Sequence, residues 1–256
     1  MEMRLRLRKI LLCAVITGFW LAMMALLVRR EWASTRPAVD EIGGGTVSAP
    51  EQPRLSRLGI YLDEKKIGVA QIHYLPMPNH TTVIRTHVKF TGPAYLGNEW
   101  EAGAMLTLGR DRKLTSFNAK FGSAEGNDQP IYAVRGTVVG DEMEIVYTLG
   151  GQAIRQRVPF QGGAFFSSSL TPLLGGLQMA PGQRRPLALW NPLMRQLDAA
   201  WIENRGKTRL LWHGRWRDLY LLRLTYGDIA LSAWVTDKGD VIRQEAPFGL
   251  VLEEEE

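Results

Sequence analysis

Residues 218–235 read DLYLLRLTYGDIALSAWV. With Gly227-Asp228 as a two-residue turn, Tyr226 faces Ile229, Leu224 faces Leu231, Leu222 faces Ala233 and Tyr220 faces Val235. All eight then share one side of the pleat, which makes that side core. The opposite side carries Thr225, Arg223, Ala230 and Ser232, and also Leu221 opposite Trp234. That last pair is either rim packing or part of a second buried surface.

The period of two extends outward from this hairpin. Leu58, Ile60 and Leu62 alternate with Gly59 and Tyr61, the polar turn 63–66 follows, and Ile67 and Val69 resume the pattern. Further strands are expected over 81–90, 100–108, 113–121, 131–138, 143–149 and 152–158, separated by short Gly- and Asp-containing turns. Such spacing implies antiparallel neighbours. So many strands in series must curl or close to hide their edges, so the expected fold is all-β, a curled antiparallel sheet or a partly open β-barrel. One segment departs from the pattern. In residues 164–177, AFFSSSLTPLLGGL, Ser167 or Ser168 can cap a short helix, Pro172 fits its first turn and Gly175-Gly176 ends it. This helix is expected to cover the sheet.

Ahead of the domain, Ile10 to Val28 form an uncharged apolar run, ILLCAVITGFWLAMMALLV, long enough to cross a hydrocarbon core of ~30 Å. Four basic residues precede it, Arg29 and Arg30 follow it, Trp20 lies mid-span and Trp32 just beyond. The positive-inside rule puts the N-terminus in the cytoplasm and the domain outside. A cleaved signal peptide would need a shorter apolar region and a small-x-small site, and Ala22 and Ala25 have the wrong spacing for one. The expected organisation is therefore a basic tip and transmembrane helix over 1–30, a Gly-, Pro- and Ser-containing tether over 31–54, and an extracytoplasmic β domain over 55–256.

Charge argues against nucleic acid. The pI is 9.4, but six of the 31 basic residues and one of the 26 acids lie in residues 1–30, which leaves 25 of each beyond. The domain lacks the net basic footprint that counterion release requires. The single cysteine, Cys13, lies in the apolar run, so the domain has neither a disulfide nor a thiol nucleophile.

No catalytic constellation stands out. His73, His80, His87 and His213 show neither HExxH nor HxH spacing. Ser167-Ser168-Ser169 lacks a G-x-S-x-G elbow, and helix capping accounts for it. The carboxylates Asp141-Glu142 and Asp237…Asp240 fall in turns, and Glu253 to Glu256 read as a solvated tail. Neither a metal nor an organic cofactor is expected. The aromatic residues are more informative. Trp190, Trp201, Trp212, Trp216 and Trp234 crowd the C-terminal part, with Trp212 and Trp216 flanking His213-Gly214-Arg215. They serve either as core and rim aromatics or as a groove for an acyl chain or a partner. In the second reading the candidate residues are Trp190, Trp212, Trp216, Leu221 and Trp234, with Phe165, Phe166 and Leu170 from the covering segment.

Most of residues 59–256 resembles the all-β region that precedes the catalytic domain in bacterial envelope proteins of the transglutaminase-like kind. The residues that carry the likeness are Gly59-Ile60-Tyr61-Leu62, Lys66-Ile67-Gly68, Pro181-Gly182, the strand 187–192 ending in Trp190-Asn191-Pro192, the Trp234-Val235 strand with its Asp237-Lys238-Gly239 turn, and the closing run Arg243-Gln244-Glu245-Ala246-Pro247-Phe248-Gly249-Leu250-Val251-Leu252. No Cys-His-Asp constellation follows them, so the resemblance implies the accessory region without the enzyme. The expected function is a non-catalytic module at a bacterial inner membrane. It would dock onto a membrane-protein partner, a transglutaminase-like protein or a transporter subunit. The alternative is a carrier or relay holding a lipid or lipoprotein acyl chain in its curled sheet.

Overall fold

The computed structural model describes residues 52–92, 99–124, 130–160, 164–166, 174, 179–191 and 196–255. All belong to the unit Ala38–Glu256. The expected anchor, with Ile10, Trp20, Val28, Arg29 and Arg30, lies outside the described residues. Among the described residues no helix is long and apolar enough to cross a membrane.

Fifteen strands form one sheet: β1 (Arg54–Leu62), β2 (Lys65–Pro76), β3 (Thr82–Thr91), β4 (Glu99–Leu108), β5 (Leu114–Ser123), β6 (Tyr132–Val139), β7 (Glu142–Leu149), β8 (Gln152–Pro159), β9 (Ala164–Phe166), β10 (Arg184–Asn191), β11 (Gln196–Trp212), β12 (Arg215–Tyr226), β13 (Ile229–Val235), β14 (Val241–Glu245) and β15 (Leu250–Glu254). Every expected strand is present. Five hairpins have two-residue turns, at 63–64, 140–141, 150–151, 213–214 and 227–228. At 213–214 both His213 and Gly214 have positive φ, the type I′ geometry whose twist suits a hairpin.

The strand order is β8-β7-β6-β5-β4-β3-β2-β1-β15-β14-β13-β12-β11-β10-β9. Read as a ring, this is sequence order. β1 pairs with β15, and the interruption falls between the consecutive strands β8 and β9. A flat sheet of this many strands would be about 67 Å wide at ~4.8 Å per strand. The five residue steps from Pro159 to Ala164 reach about 18 Å at most. The sheet must therefore curl until its two edges approach. Among the described residues it does not close, since no ladder joins β8 to β9. Every neighbouring pair is antiparallel except β9 and β10, which run parallel. That corrects the fully antiparallel expectation and puts Ala164–Phe166 in a strand. Β9 returns from the β8 end in the same direction as β10, so it can only pair with β10 in parallel. The covering helix expected over 167–177 lies outside the described residues except for Leu174, which is helical and buried.

One contiguous apolar core occupies the inner face, drawn from β1 to β7 and β10 to β14, with Leu58, Ile145, Ile202 and Ala233 fully buried. The quoted hairpin has the expected register throughout, from Tyr220↔Val235 to Tyr226↔Ile229. A second small cluster on the outer face joins Trp212, Leu219 and Ile242, with Leu210 and Trp234 against them. Since Leu221 registers with Trp234, the outer side of this hairpin also carries a buried surface.

Candidate functional site

The inner face of β3 to β6 is built in cross-strand rungs. Ile84, Leu106 and Phe117 stand side by side and are buried, with Gly136 as the fourth member. Gly136 is required there, because a Cβ would enter the Phe117 ring. The next rung is Thr86, Ala104, Ala119 and Val134, and the one after it Val88, Ala102, Phe121 and Tyr132. Three alanines and a threonine replace large side chains here, and the packing opens. A cavity of ≈ 160 Å³ results, lined by these eight residues together with Gly103 and Lys120.

The wall is almost wholly apolar. Its polar side chains are Thr86, Tyr132 and Lys120, and the Thr86 hydroxyl oxygen is shielded from solvent with no hydrogen-bond partner among the described residues. At one end Trp100 stacks on Phe121 with ring centroids 5.0 Å apart and planes within 4°. Register continues the same rungs to the sheet edge, through Tyr147 to Ile154 and from Tyr132 to Leu149. Leu149 and Ile154 are 60% and 51% exposed although they belong to the inner face. Among the described residues no further strand pairs with β8. Buried Tyr147 stands in the rung between Val134 of the cavity wall and exposed Ile154.

The sequence-predicted residues do not converge on one groove. Trp212 and Trp234 meet in the outer-face cluster, and Leu221 stands beside Trp234 in register. Trp216 is 60% exposed and belongs to the opposite face of its hairpin. Trp190 registers with Phe166 and Leu197, and Phe165 with Leu189, but the side chains of Trp190, Phe165 and Phe166 lie outside the description, as does Leu170. The cavity residues were missed by the sequence reading. The available signal was the small-residue alternation of Ala102 and Ala104 in residues 99–108, which is visible only as a weakness in an otherwise apolar strand face.

A larger, polar cleft of ≈ 530 Å³ is lined by Arg57, Tyr61, His213, Glu253, Glu254 and Glu255. Its carboxylates are largely matched by cations. Glu255 accepts from Arg57 Nε at 2.9 Å and from Lys66, and Glu253 accepts from Arg243 at 3.1 Å. The Lys66 hydrogen bond holds the Glu255 carboxyl below its ordinary range. Burial pushes Glu254 up, against the pull of Arg217 and Arg54. Among the described residues no group of three or more His, Cys, Asp or Glu is arranged to hold a metal ion. His87 pairs with Glu101 at 3.5 Å, while His80 occupies a turn with positive φ. The cleft reads as an ion-pair surface, and the apolar cavity is the better candidate for a ligand.

No family model matches the chain, and no curated protein matches it. A crystal structure of a β-barrel-like protein of the domain of unknown function DUF1849 from Brucella abortus is similar in fold. The TM-score is 0.55 at 11% identity, over 79% of this chain and 94% of that one. At that identity the likeness concerns the barrel-like all-β architecture alone.

Proposed function

We propose that the domain is a non-catalytic binding module of the bacterial envelope that holds an apolar ligand, an acyl chain, on the inner face of its curled sheet. The observation that supports this is the cavity between the Thr86 and Val88 rungs, floored by Ala102, Ala104 and Ala119. A dry apolar cavity of about 150 Å³ accommodates a benzene-sized group. At ~0.8 kcal/mol per buried CH₂, six carbons contribute roughly 5 kcal/mol, a submillimolar affinity at best. Micromolar binding needs about ten. The rest of the chain would extend from the cavity along the inner face towards exposed Leu149 and Ile154. Retention at the inner membrane by residues 10–28, N-terminus cytoplasmic and domain periplasmic, would make this a fixed relay rather than a shuttle.

The test compares the chain over residues 52–256 with its Ala104→Phe variant, both purified from bacteria and weighed by native mass spectrometry. Wild type should carry co-purified lipid and the variant should not. Two equally empty proteins would end the proposal.

A second reading, docking of a transglutaminase-like protein or a transporter subunit, has one observation in its favour. Among the described residues the eight-residue strand β8 has an unpaired edge, and an extended segment of a partner can add to such an edge. Pull-down of the intact protein from solubilised membranes should then recover a stoichiometric partner that is lost when Gln156 is replaced by proline.

A further inference from the structure

The β11–β12 hairpin outruns the sheet. Β10 pairs with β11 only as far as Glu203, and β13 pairs with β12 only from Tyr220 onward. Residues 205–219 therefore project as two strands with no ladder to a further strand among the described residues. A bulge between Asn204 and Lys207 shifts the alternation of β11 by one residue as the projection begins. One face of it is seated, since Leu210, Trp212 and Leu219 pack with Ile242 and Trp234. The other face carries Lys207, Arg209, Leu211 and Trp216 into solvent, with Leu211 53% and Trp216 60% exposed and directly opposite each other.

The chain of this projection is basic up to Asp218, and its tip at His213 adjoins Glu253, Glu254 and Glu255. From Arg205 to Arg217 the chain reads RGKTRLLWHGRWR, with five permanent cations and no carboxylate, in a region whose overall charge from Glu31 onward is zero. Arg205 is engaged by Glu203 at 3.2 Å, Lys207 by Asp237 at 3.2 Å, and Arg217 lies over the Trp212 ring at 3.8 Å. Among the described residues Arg209 and Arg215 have no carboxylate partner. Arg209 lies 5.2 Å from the centroid of the Trp216 ring, and Asp218 stands across from it in register without an ion pair.

We propose that this projection docks on the surface of an anionic phospholipid bilayer. Trp216 and Leu211 supply an amphipathic ring and an apolar side chain at the depth of the headgroups, where tryptophan is favoured. Arg209 stands on the same face, and Arg215, exposed at the hairpin tip and in register with Trp212, emerges on the other side of the strand next to Trp216, so that two guanidinium groups can meet lipid phosphates at the tip. The seated face means that little chain has to be ordered on contact. Β1 begins at the same end of the sheet, with Arg54 paired to Asp240 there, so the segment preceding the domain leaves from the end that carries the projection. The inference is independent of the inner-face cavity.

The test footprints the full chain with hydroxyl radicals in the presence of phosphatidylcholine vesicles, of mixed phosphatidylcholine and phosphatidylglycerol vesicles, or of a single-stranded oligonucleotide. Oxidation of Trp216 and Leu211 is expected to fall several-fold with the anionic vesicles alone, and to recover at high salt. Arg209→Gln with Arg215→Gln should abolish that protection, while Trp212, buried on the seated face, stays unoxidised and certifies the fold. Equal oxidation with both vesicle types, protection that survives the double substitution, or protection by the oligonucleotide and not by vesicles would each overturn the proposal.

Discussion

Pro159 ends one edge strand of the sheet and Ala164 begins the other, although only four residues separate them. Thirteen strands lie between the two in the hydrogen-bonded order, so the short connection obliges the sheet to curl back on itself. At the diametric position β1 and β15 pair, and the Glu255 amide donates to the Arg57 carbonyl at 3.0 Å. The two ends of the domain are thus adjacent, and the seam is the natural place to cut.

A circular permutant should therefore fold. Joining residue 255 to residue 52 by a short flexible linker and opening the chain at residues 161–163 preserves every ladder between described strands. Its far-UV circular dichroism and cooperative denaturant unfolding should match the parent. Opening within β7 instead, between Ile145 and Val146, should abolish the cooperative transition. A seam permutant without cooperative unfolding would refute the cyclic order.

Asn204 is a buried polar residue with every group engaged. Its amide nitrogen donates to the Met179 carbonyl at 2.7 Å, its side-chain oxygen accepts from the Gly206 amide at 2.9 Å, and its backbone exchanges bonds with Gly182 and Gln183. Asn204→Ala leaves the Met179 carbonyl and the Gly206 amide unpaired at the bulge. The expected loss is ~2–4 kcal/mol by denaturant titration. A loss below about 0.5 kcal/mol would mean water replaces both bonds.

Filling the cavity and emptying the core should have opposite consequences. Ala104→Phe puts a ring into open space and should leave stability within about 1 kcal/mol of wild type while ligand is lost. Leu224→Ala removes a fully buried side chain and should cost ~2–5 kcal/mol. Comparable destabilisation by both would show that the Thr86–Val134 rung is already filled.

Two glycines on β2 and β4 should behave differently. A Cβ at Gly68 would stand 2.7 Å from the Phe90 Cα and closer still to the Lys89 carbonyl oxygen, so Gly68→Ala must push β3 away. A Cβ at Gly103 meets only the flexible Lys120 side chain, at 3.2 Å. Gly68→Ala is expected to lower stability by about 1–3 kcal/mol and Gly103→Ala by less than about 0.5 kcal/mol. Thermal melts of the two variants decide.

Burial pushes the Tyr74 phenol up to about 12 from 10.0, against the pull of Arg54. Between these two values the unfolded chain releases this proton and the folded chain keeps it. The contribution is therefore complete below pH 10 and is lost as pH rises through about 12. In an absorbance titration, the difference between wild type and Tyr74→Phe should develop near pH 12. A difference that develops near pH 10 would place Tyr74 in water.

Much of the sheet was legible because its alternation is local. Residues 218–235 announce their own register, since a one-residue slip would expose Leu222, Leu224 and Leu231 together. The outer Leu221–Trp234 pair left rim packing and a second buried surface both open, and the cluster around Trp212 decided for the second. Β11 was harder to read. The bulge after Asn204 shifts its phase, so Ile202 and Leu211 share a face at a spacing that a regular strand does not allow. The parallel pairing of Ala164–Phe166 had no local signature in three residues.

Sequence alone determined the chemistry of the chain: an all-β domain without disulfide or recognisable catalytic motif, neutral beyond its first thirty residues, with five cations crowded into residues 205–217. Tertiary structure decided which side chains share space. Thr86, Ala104, Ala119 and Val134 are each about fifteen residues or more from the next, and only strand pairing makes them one rung. Alternation tells which side of a strand faces inward. It does not tell which partner lies alongside, and a cavity arises from the summed volumes of neighbours on different strands.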